Sequence, residues 1–272
     1  MYRDRTVAVV IPAHNEARLL PITLAGLPDF IDHIIVVDDA STDATAEVAL
    51  NHPRSEIELV RHPENLGVGG AIVTGYRRAL ALEAALTVVV GADAQMDPRE
   101  MSSLLDPLVE GDADYVKGDR MGHPQLKQVM PSVRLFGNRV LTVLTRYATG
   151  YRDVRDSQCG YTAIANPSLR RLPLADLYPR YGFPNDLLAK LAEQDQRVVD
   201  RPVSPIYDTE ISGIRVHRVA FPILWLLVRS GLRRWFRQRA FRRQVQVNCD
   251  PALAVQIESE RPTFTSSVRS TS

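Results

Sequence analysis

At 272 residues, with 45% hydrophobic and 24% charged content, the chain has the composition of a globular protein and the length for one large α/β domain with an appendage. Its formal net charge of +1 hides an asymmetry: between Gly213 and Arg243 lie nine arginines and no Asp or Glu, which leaves 24 basic against 32 acidic residues elsewhere, near −8. Two cysteines, Cys159 and Cys249, exclude a disulfide framework and a cysteine metal cluster, and point to a reducing, cytoplasmic compartment. The start, Met1 to Arg5, runs into a strand-like segment without a signal-peptide core. The longest apolar run, Val219 to Val228, has ten residues including Pro222. About twenty are needed to cross a bilayer, so no transmembrane helix is expected.

In chain order, Val7–Ile11, Ile34–Val37, Ile57–Val60, Thr87–Val90 and Tyr115–Lys117 read as strands, mostly β-branched and bounded by turn residues. Between them Glu16–Leu27, Asp43–Leu50, Gly69–Leu82 and Pro98–Val109 read as helices. Asn15 and Ser41 or Thr42 are candidate N-caps, and Pro98 suits a first helical turn. This alternation predicts right-handed βαβ units in a doubly wound, mainly parallel α/β sheet.

After Arg120 the rhythm changes. Met121–Gln128 reads as a loop, Pro131–Thr149 as a long amphipathic helix, and Gly160–Ala165 as a strand. Pro184–Gln194 reads as a helix, Val198–Val203 as a strand, and Val219–Arg243 as a C-terminal helix or helix pair. The expected organisation is a domain over residues 1–212, a basic amphipathic segment over 213–247 and a disordered tail over 248–272.

Open α/β sheets bind ligands beyond the carboxyl ends of their strands. Here those ends read Pro12-Ala13-His14-Asn15-Glu16, Asp38-Asp39, Gly91-Ala92-Asp93-Ala94-Gln95-Met96-Asp97 and Gly118-Asp119-Arg120. Any single one of these carboxylates can be read structurally, as a helix cap. Together they form an acidic crevice that wants a cation. Neither G-x-G-x-x-G after the first strand nor G-x-x-x-x-G-K-[ST] occurs. Leu66-Gly67-Val68-Gly69-Gly70 is glycine-rich, which suits close packing or a helix start more often than phosphate. Asp93 and Gln95 offer oxygen ligands two residues apart, and diphosphate oxygens and water would complete a six-coordinate Mg²⁺ or Mn²⁺ shell.

These segments resemble the family-2 glycosyltransferases of the GT-A fold. Ile11-Pro12-Ala13-His14-Asn15-Glu16 looks like the family's I-P-x-x-N-E, and Val37 to Asp43 its V-D-D-x-S-x-D. Asn65-Leu66-Gly67 resembles its N-x-G segment, and Asp93 to Pro98 its D-x-Q-x-x-P. The resemblance covers Val7 to Arg120 and, less closely, Arg134 to Arg215. It implies a GT-A, Rossmann-like nucleotide-sugar fold with a C-terminal amphipathic helical appendage, and an inverting transfer from a nucleotide-diphosphate sugar. It also implies that Pro12, Asn15, Glu16 and Asp39 hold the nucleoside, while Asp93, with Gln95, holds metal and diphosphate as part of the catalytic machinery. One departure stands out, because Gly91 occupies the place of the family's usual first Asp.

Asp156-Ser157-Gln158-Cys159-Gly160-Tyr161 resembles the D-x-Q-C-G-[FY] segment of bacterial members similar to dolichyl-phosphate mannose synthases. Arg134, Asn138 and Arg139 precede it, as basic and amide residues do in that subgroup. Arg134 or Arg139 is therefore either a partner for an acceptor phosphate, which guanidinium geometry suits, or a surface arginine on a helix. Tyr181 to Asp186 resembles the late motif that carries an acidic residue near the acceptor. Asp186 is the candidate general base if the acceptor is a hydroxyl. If the acceptor is an anionic lipid phosphate, no base is needed, and Asp186 orients a sugar hydroxyl or an arginine, or caps its helix.

The basic end carries Arg229, Arg233, Arg234, Arg237, Arg239, Arg242 and Arg243 among Leu232, Trp235, Phe236 and Phe241. That is the composition of an interfacial helix, and it predicts peripheral binding to the inner face of the membrane through residues 219–243. A C-terminal helix packed on the domain is the plain alternative, and the acidic strand ends argue against nucleic acid. The expected function is transfer of a hexose to a polyprenyl phosphate or other lipid-linked acceptor. Transfer to a soluble hydroxyl and a silent nucleotide-sugar binding protein are the alternatives.

Overall fold

The computed structural model describes residues 1–124, 126, 130, 132–206 and 225–234, with the Arg134 side chain left out. Seven strands form one sheet in the order β3-β2-β1-β4-β6-β5-β7. They are β1 (Val7–Ala13), β2 (His33–Asp38), β3 (Ile57–Arg61), β4 (Leu86–Val89), β5 (Tyr115–Asp119), β6 (Thr162–Ala165) and β7 (Val198–Pro202). β6 runs antiparallel to both β4 and β5, and every other pairing is parallel. The expected doubly wound, mainly parallel sheet is therefore present, and β6 is its one reversed strand.

The helices are α1 (Leu20–Ala25), α2 (Thr45–Leu50), α3 (Val68–Ala81), α4 (Met101–Val109), α5 (Ser132–Thr149), α6 (Asn166–Arg171) and α7 (Phe183–Glu193). Residues 225–234 are also helical. β1 shows how the layers arise. Its side chains alternate, so Val7, Val9 and Ile11 pack with Leu20, Leu24, Leu104 and Leu105 on one face. Ala8 and Val10 pack with Ala71, Ile72, Tyr76 and Leu188 on the other. With helices on both faces, a strand has no wet side, which is why these strands read as unbroken apolar runs.

The first helix is shorter than Glu16–Leu27. It begins at Leu20 because Pro21 occupies its first turn, and residues 16–19 form a turn closed by Leu19 and Leu20 N–H groups on the Glu16 carbonyl. The proposed caps are corrected too. The residue at the start of α1 is Leu19 and at the start of α2 is Ala44. Asn15, Ser41 and Thr42 spend their polar groups on one another between loops instead. Pro98 does open a helical turn, of 3-10 type, which Asp97 caps by accepting from Arg99 N–H at 3.0 Å. The α6 helix was not foreseen; it follows β6 directly and has Pro167 in its first turn.

The chain divides into two compact units, Met1–Gly231 and Leu232–Ser272. All the strands and the helices α1 to α7 belong to the first. Most of the expected C-terminal segment and all of the expected tail lie outside the described residues. No described helix is long and apolar enough to cross a membrane.

α3 can lie close on β1 only because residue 75 is glycine; a Cβ there would run into the Val10 side chain. Gly75→Ala is expected to destabilise the fold by roughly 1–3 kcal/mol through overpacking, measurable as a lower midpoint in urea.

Candidate active site

The loops after β1 and β2 are stitched together. Ser41 Oγ accepts from Asn15 N–H at 2.9 Å, and Asn15 Oδ1 accepts from Thr42 N–H at 2.8 Å. Thr45 Oγ1 accepts from Glu16 N–H at 2.8 Å, and Asp43 Oδ2 accepts from Ala17 N–H at 3.1 Å. Burial pushes the Asp43 carboxyl up, but the hydrogen bonds from Thr45 and Ala17 outweigh it and hold it below the usual carboxylate range. Pro12, Asn15 and Glu16 are thus brought to the same edge as Asp39.

Asp39 organises that edge. It is 2% exposed. His62 Nδ1 donates to its Oδ1 at 2.7 Å, Leu66 N–H to the same oxygen at 2.8 Å, and Gly67 N–H to Oδ2 at 2.8 Å. His62 Nε2 in turn lies 2.9 Å from Thr74 Oγ1 on α3. Its neighbour Asp38, also buried, accepts from Ser41 N–H at 3.0 Å and pairs with Arg61 at 3.0 Å.

The glycines after Asn65 are used for packing. Gly67, at φ +87°, delivers its N–H to Asp39, and a Cβ on Gly69 would sit 2.5 Å from the Tyr178 carbonyl. Gly70 N–H donates to the Pro179 carbonyl at 2.9 Å. Behind this contact, Asp186 is 2% exposed and accepts from Tyr178 N–H at 3.0 Å. Burial pushes the Asp186 carboxyl up, against the Tyr178 hydrogen bond and the charges of Lys190 and Arg229. Asp186 therefore holds the 178–183 turn against the Gly67–Gly70 segment.

Asp93 and Gln95 lie together in the loop after β4, where Asp93 Oδ1 accepts from Gln95 N–H at 3.2 Å. Ala94 between them has φ +52°. A Cβ built on Gly91 would come within 2.8 Å of Asp93 Oδ1, so the Asp93 carboxylate lies over the bare Cα of residue 91. The loop is covered by the segment after β7: Ile206 N–H donates to the Gln95 carbonyl at 2.8 Å, and Ser204 N–H and Oγ reach Glu100 at 2.8 and 2.7 Å. Asn15, Ala40 and Ala94 all hold left-handed φ of +59°, +56° and +52°, one at each end of β1, β2 and β4. For alanine this conformation costs roughly 1 kcal/mol, so the carboxyl edge carries backbone strain, as do Arg3, Asp4, Glu83 and Asp195 elsewhere.

Among the described residues no three His, Cys, Asp or Glu side chains converge as a metal site. Asp93 with Gln95 still fits a hard divalent cation. Mg²⁺ is commonly held by one or two carboxylates and completed by substrate phosphates and water.

Deeper in, Arg120 and Asp156 form a buried pair, with Nε–Oδ2 at 2.6 Å and Nη2–Oδ1 at 3.1 Å. Burial alone would raise Asp156, but Arg120 holds it below the usual range. The rest of the Asp156–Tyr161 segment is threaded between helices. Gln158 Nε2 donates to Asn185 Oδ1 at 2.9 Å, Asn185 Nδ2 to Thr145 Oγ1 at 2.7 Å, and Thr142 bonds Ser157. Arg139 is exposed on α5, and the Arg134 side chain lies outside the described residues. Sequence reasoning missed His62, Glu100, Arg120, Asn185 and Asp200 as partners. Motif positions mark Asp156 and Asp39, but nothing in the spacing reveals which distant side chain meets them.

Asp200 faces this core from β7, in register with Lys117 of β5. Lys117 donates to the Cys159 carbonyl, and burial pushes its pKa down. Asp200 Oδ1 is buried without a hydrogen-bond partner, and burial raises its carboxyl to about 6. A carboxyl raised on folding costs stability once ionised. The cost is absent below the unfolded value of about pH 4 and complete above about pH 6. Asp200→Asn is expected to raise stability above pH 6, on the order of 1 kcal/mol, and to change little below pH 4. Thermal melts of both proteins across that range check it.

Comparison with known proteins follows the same lines. The family model described as "Glycosyl transferase family 2" matches residues 8–173. The UDP-N-acetylglucosamine–dolichyl-phosphate N-acetylglucosaminyltransferase of Methanococcus voltae is 29% identical over 227 residues, covering 78% of this chain and 90% of that protein. The polyprenol monophosphomannose synthase of Mycolicibacterium smegmatis is 27% identical over 237 residues, covering 83% and 88%. Among solved structures, glucosyl-3-phosphoglycerate synthase of Mycobacterium tuberculosis, crystallised with Mn²⁺, UDP and phosphoglyceric acid, superposes with a TM-score of 0.65. It is 20% identical, and the match covers 84% of this chain and 79% of that one. At that identity the likeness shows the shared fold, GT-A, and no more.

Proposed function

We propose that this chain, which belongs to glycosyl transferase family 2, moves a hexose from a nucleotide-diphosphate sugar to a polyprenyl phosphate or another lipid-linked acceptor. The observation that carries the acceptor class is similarity over 78% and 83% of the chain to transferases whose names give dolichyl phosphate and polyprenol as acceptors. The family match over residues 8–173 spans the Pro12–Asp39 edge and the Asp156–Tyr161 segment alike.

In this reading Pro12, Asn15, Glu16 and Asp39 line the nucleoside end. Asp39 is held rigid by His62, Leu66 and Gly67, so its remaining acceptor capacity is fixed in place. Asp93 and Gln95 hold the diphosphate end together with a divalent cation. A bound Mg²⁺ or Mn²⁺ there supplies stabilisation of the charge that builds on the departing diphosphate. An acceptor phosphate oxygen forms the new bond to the anomeric carbon as the bond to the diphosphate breaks, with inversion. Such a phosphate is anionic near neutral pH and needs no base. The buried position of Asp186, spent on Tyr178, supports a positioning role there rather than proton abstraction. Arg139, and Arg134 five residues before it, are the candidates to meet the acceptor phosphate. The basic residues of 213–247 would keep the protein at the inner membrane surface where such an acceptor lies.

The test is transfer of labelled sugar from a panel of nucleotide sugars to a polyprenyl phosphate in detergent, with Mg²⁺ or Mn²⁺. Lipid-linked product is expected, with turnover falling about 100-fold or more in Asp93→Ala. Turnover only onto soluble hydroxyl acceptors would overturn the acceptor class. Donor binding without any turnover would mark Gly91 as the sign of a silent site.

A further inference from the structure

The loop that carries Asp93 and Gln95 is held in a shape its own residues do not favour. Ala94 sits between them at φ +52°, and Asp93 Oδ1 accepts from Gln95 N–H at 3.2 Å. A left-handed alanine persists only where its surroundings hold it there. Here the hold comes from the segment that follows β7. Val203 anchors that segment: its N–H donates to the Asp119 carbonyl at 3.1 Å, and its side chain is buried over Gly118, where a Cβ would come within 2.9 Å of it. Further along, Pro205 pairs with Met96 in an antiparallel bridge, and Ile206 N–H donates to the Gln95 carbonyl at 2.8 Å. Both main-chain groups of Gln95 are thereby fixed, the N–H by Asp93 and the carbonyl by Ile206.

One side chain fastens this strap. Glu100 stands at the start of α4, where a carboxylate favours the helix dipole, but its side chain makes no capping bond to the helix. Both carboxylate oxygens are turned to Ser204 instead, Oε2 accepting from its N–H at 2.8 Å and Oε1 from its Oγ at 2.7 Å. Bonds to an ionised acceptor are about twice as strong as neutral ones. Residues 95–100 and 204–206 thus close a ring. Its links at Gln95 and Met96 run through the main chain, and its link at Glu100 runs through a side chain.

We propose that Glu100 is a positioning residue for the cation site. By clasping Ser204 it keeps Ile206 on the Gln95 carbonyl, and so keeps Gln95 beside Asp93 as one ligand set. The proposal rests on the reading of Asp93 and Gln95 as cation ligands. It adds to that site a residue that touches neither cation nor diphosphate. Groups that orient a metal's ligands typically set its affinity by about 10- to 100-fold. A site with two protein ligands has little else to keep their geometry once the strap lifts and Ala94 relaxes.

The experiment is titration of Mn²⁺ into the full chain with UDP, GDP or TDP present, reading bound ion from the loss of the free-ion electron paramagnetic resonance signal. Wild type is compared with Glu100→Ala, Glu100→Gln, Ser204→Ala and Glu110→Ala. Glu110 follows the last turn of α4 and pairs with Arg3, so its variant loosens the same helix without touching the strap. Glu100→Ala is expected to weaken Mn²⁺ binding about tenfold, with nucleotide binding in the absence of Mn²⁺ unchanged. Ser204→Ala, which keeps the N–H bond, is expected to lose less, Glu100→Gln to recover part of the loss, and Glu110→Ala to bind as wild type does. Unchanged Mn²⁺ affinity in Glu100→Ala overturns the Glu100 assignment and leaves the cation reading standing. An equal loss in Glu110→Ala overturns it too, because the effect is then that of a loosened helix. Should Glu100→Ala fail to fold, Ser204→Ala decides by the same comparison. Absence of Mn²⁺ binding by wild type with all three nucleotides overturns the cation reading, and the proposal with it.

Discussion

One buried carboxylate just past β2, Asp39, fixes the carboxyl edge of the sheet. Asp39 accepts from His62, Leu66 and Gly67, so the loop after β3 is pinned to the sheet through a group shielded from water. Charge-assisted bonds of this kind are about twice as strong as neutral ones, and each is expensive to leave unmade in a buried setting. The pinned loop presents Gly67 to Gly70 to the 178–183 turn, and that turn is held in place by Asp186. The loop after β2 and the turn before α7 are thereby linked through backbone contacts, with Asp39 at one terminus of the chain of contacts and Asp186 at the other.

The same edge carries an electrostatic problem that folding leaves partly unsolved. Asp38 is paired with Arg61 and Asp156 with Arg120. Asp119 is instead pushed up by burial while it accepts from Met121 N–H at 2.8 Å. Asp93 stands where the family often places two carboxylates, and here residue 91 is glycine with the Asp93 carboxylate folded over it. One carboxylate and one amide are a small share of an octahedral shell. Under the proposed function, diphosphate and cation would each supply what the other lacks.

Much of this was legible in the sequence because its signals are local. β1 reads as a strand from Val7 to Ile11 because both its faces are buried, and the residues around Asn15, Asp39 and Asp93 stand out because carboxylates and amides gather there at strand ends, although Asn15 and Asp39 also pin loops. The helix starts were misread for a local reason as well: Asn15, Ser41 and Thr42 look like caps, but their polar groups bond across loops. What stayed hidden is long-range. Arg120 lies 36 residues from Asp156, and Gln158 lies 27 from Asn185. No periodicity links such pairs. Nor does composition announce a left-handed Ala40 or Ala94, since alanine carries no mark of the strain it is made to bear. The amphipathic pattern of α5 was visible as a helix, whereas the choice of which face meets solvent depended on where Thr142 and Thr145 found partners.

The central claim is that the carboxyl edge of the sheet is a nucleotide-diphosphate site whose cation is shared between Asp93 and the diphosphate. Calorimetric titration of Mn²⁺ into the protein, alone and saturated in turn with UDP, GDP or TDP, tests it most directly. The account predicts weak Mn²⁺ binding alone and tight binding with one of the nucleotides, with the same reciprocal gain in nucleotide affinity when Mn²⁺ is present. Nucleotide binding of equal strength with and without Mn²⁺, or none at all, would contradict it.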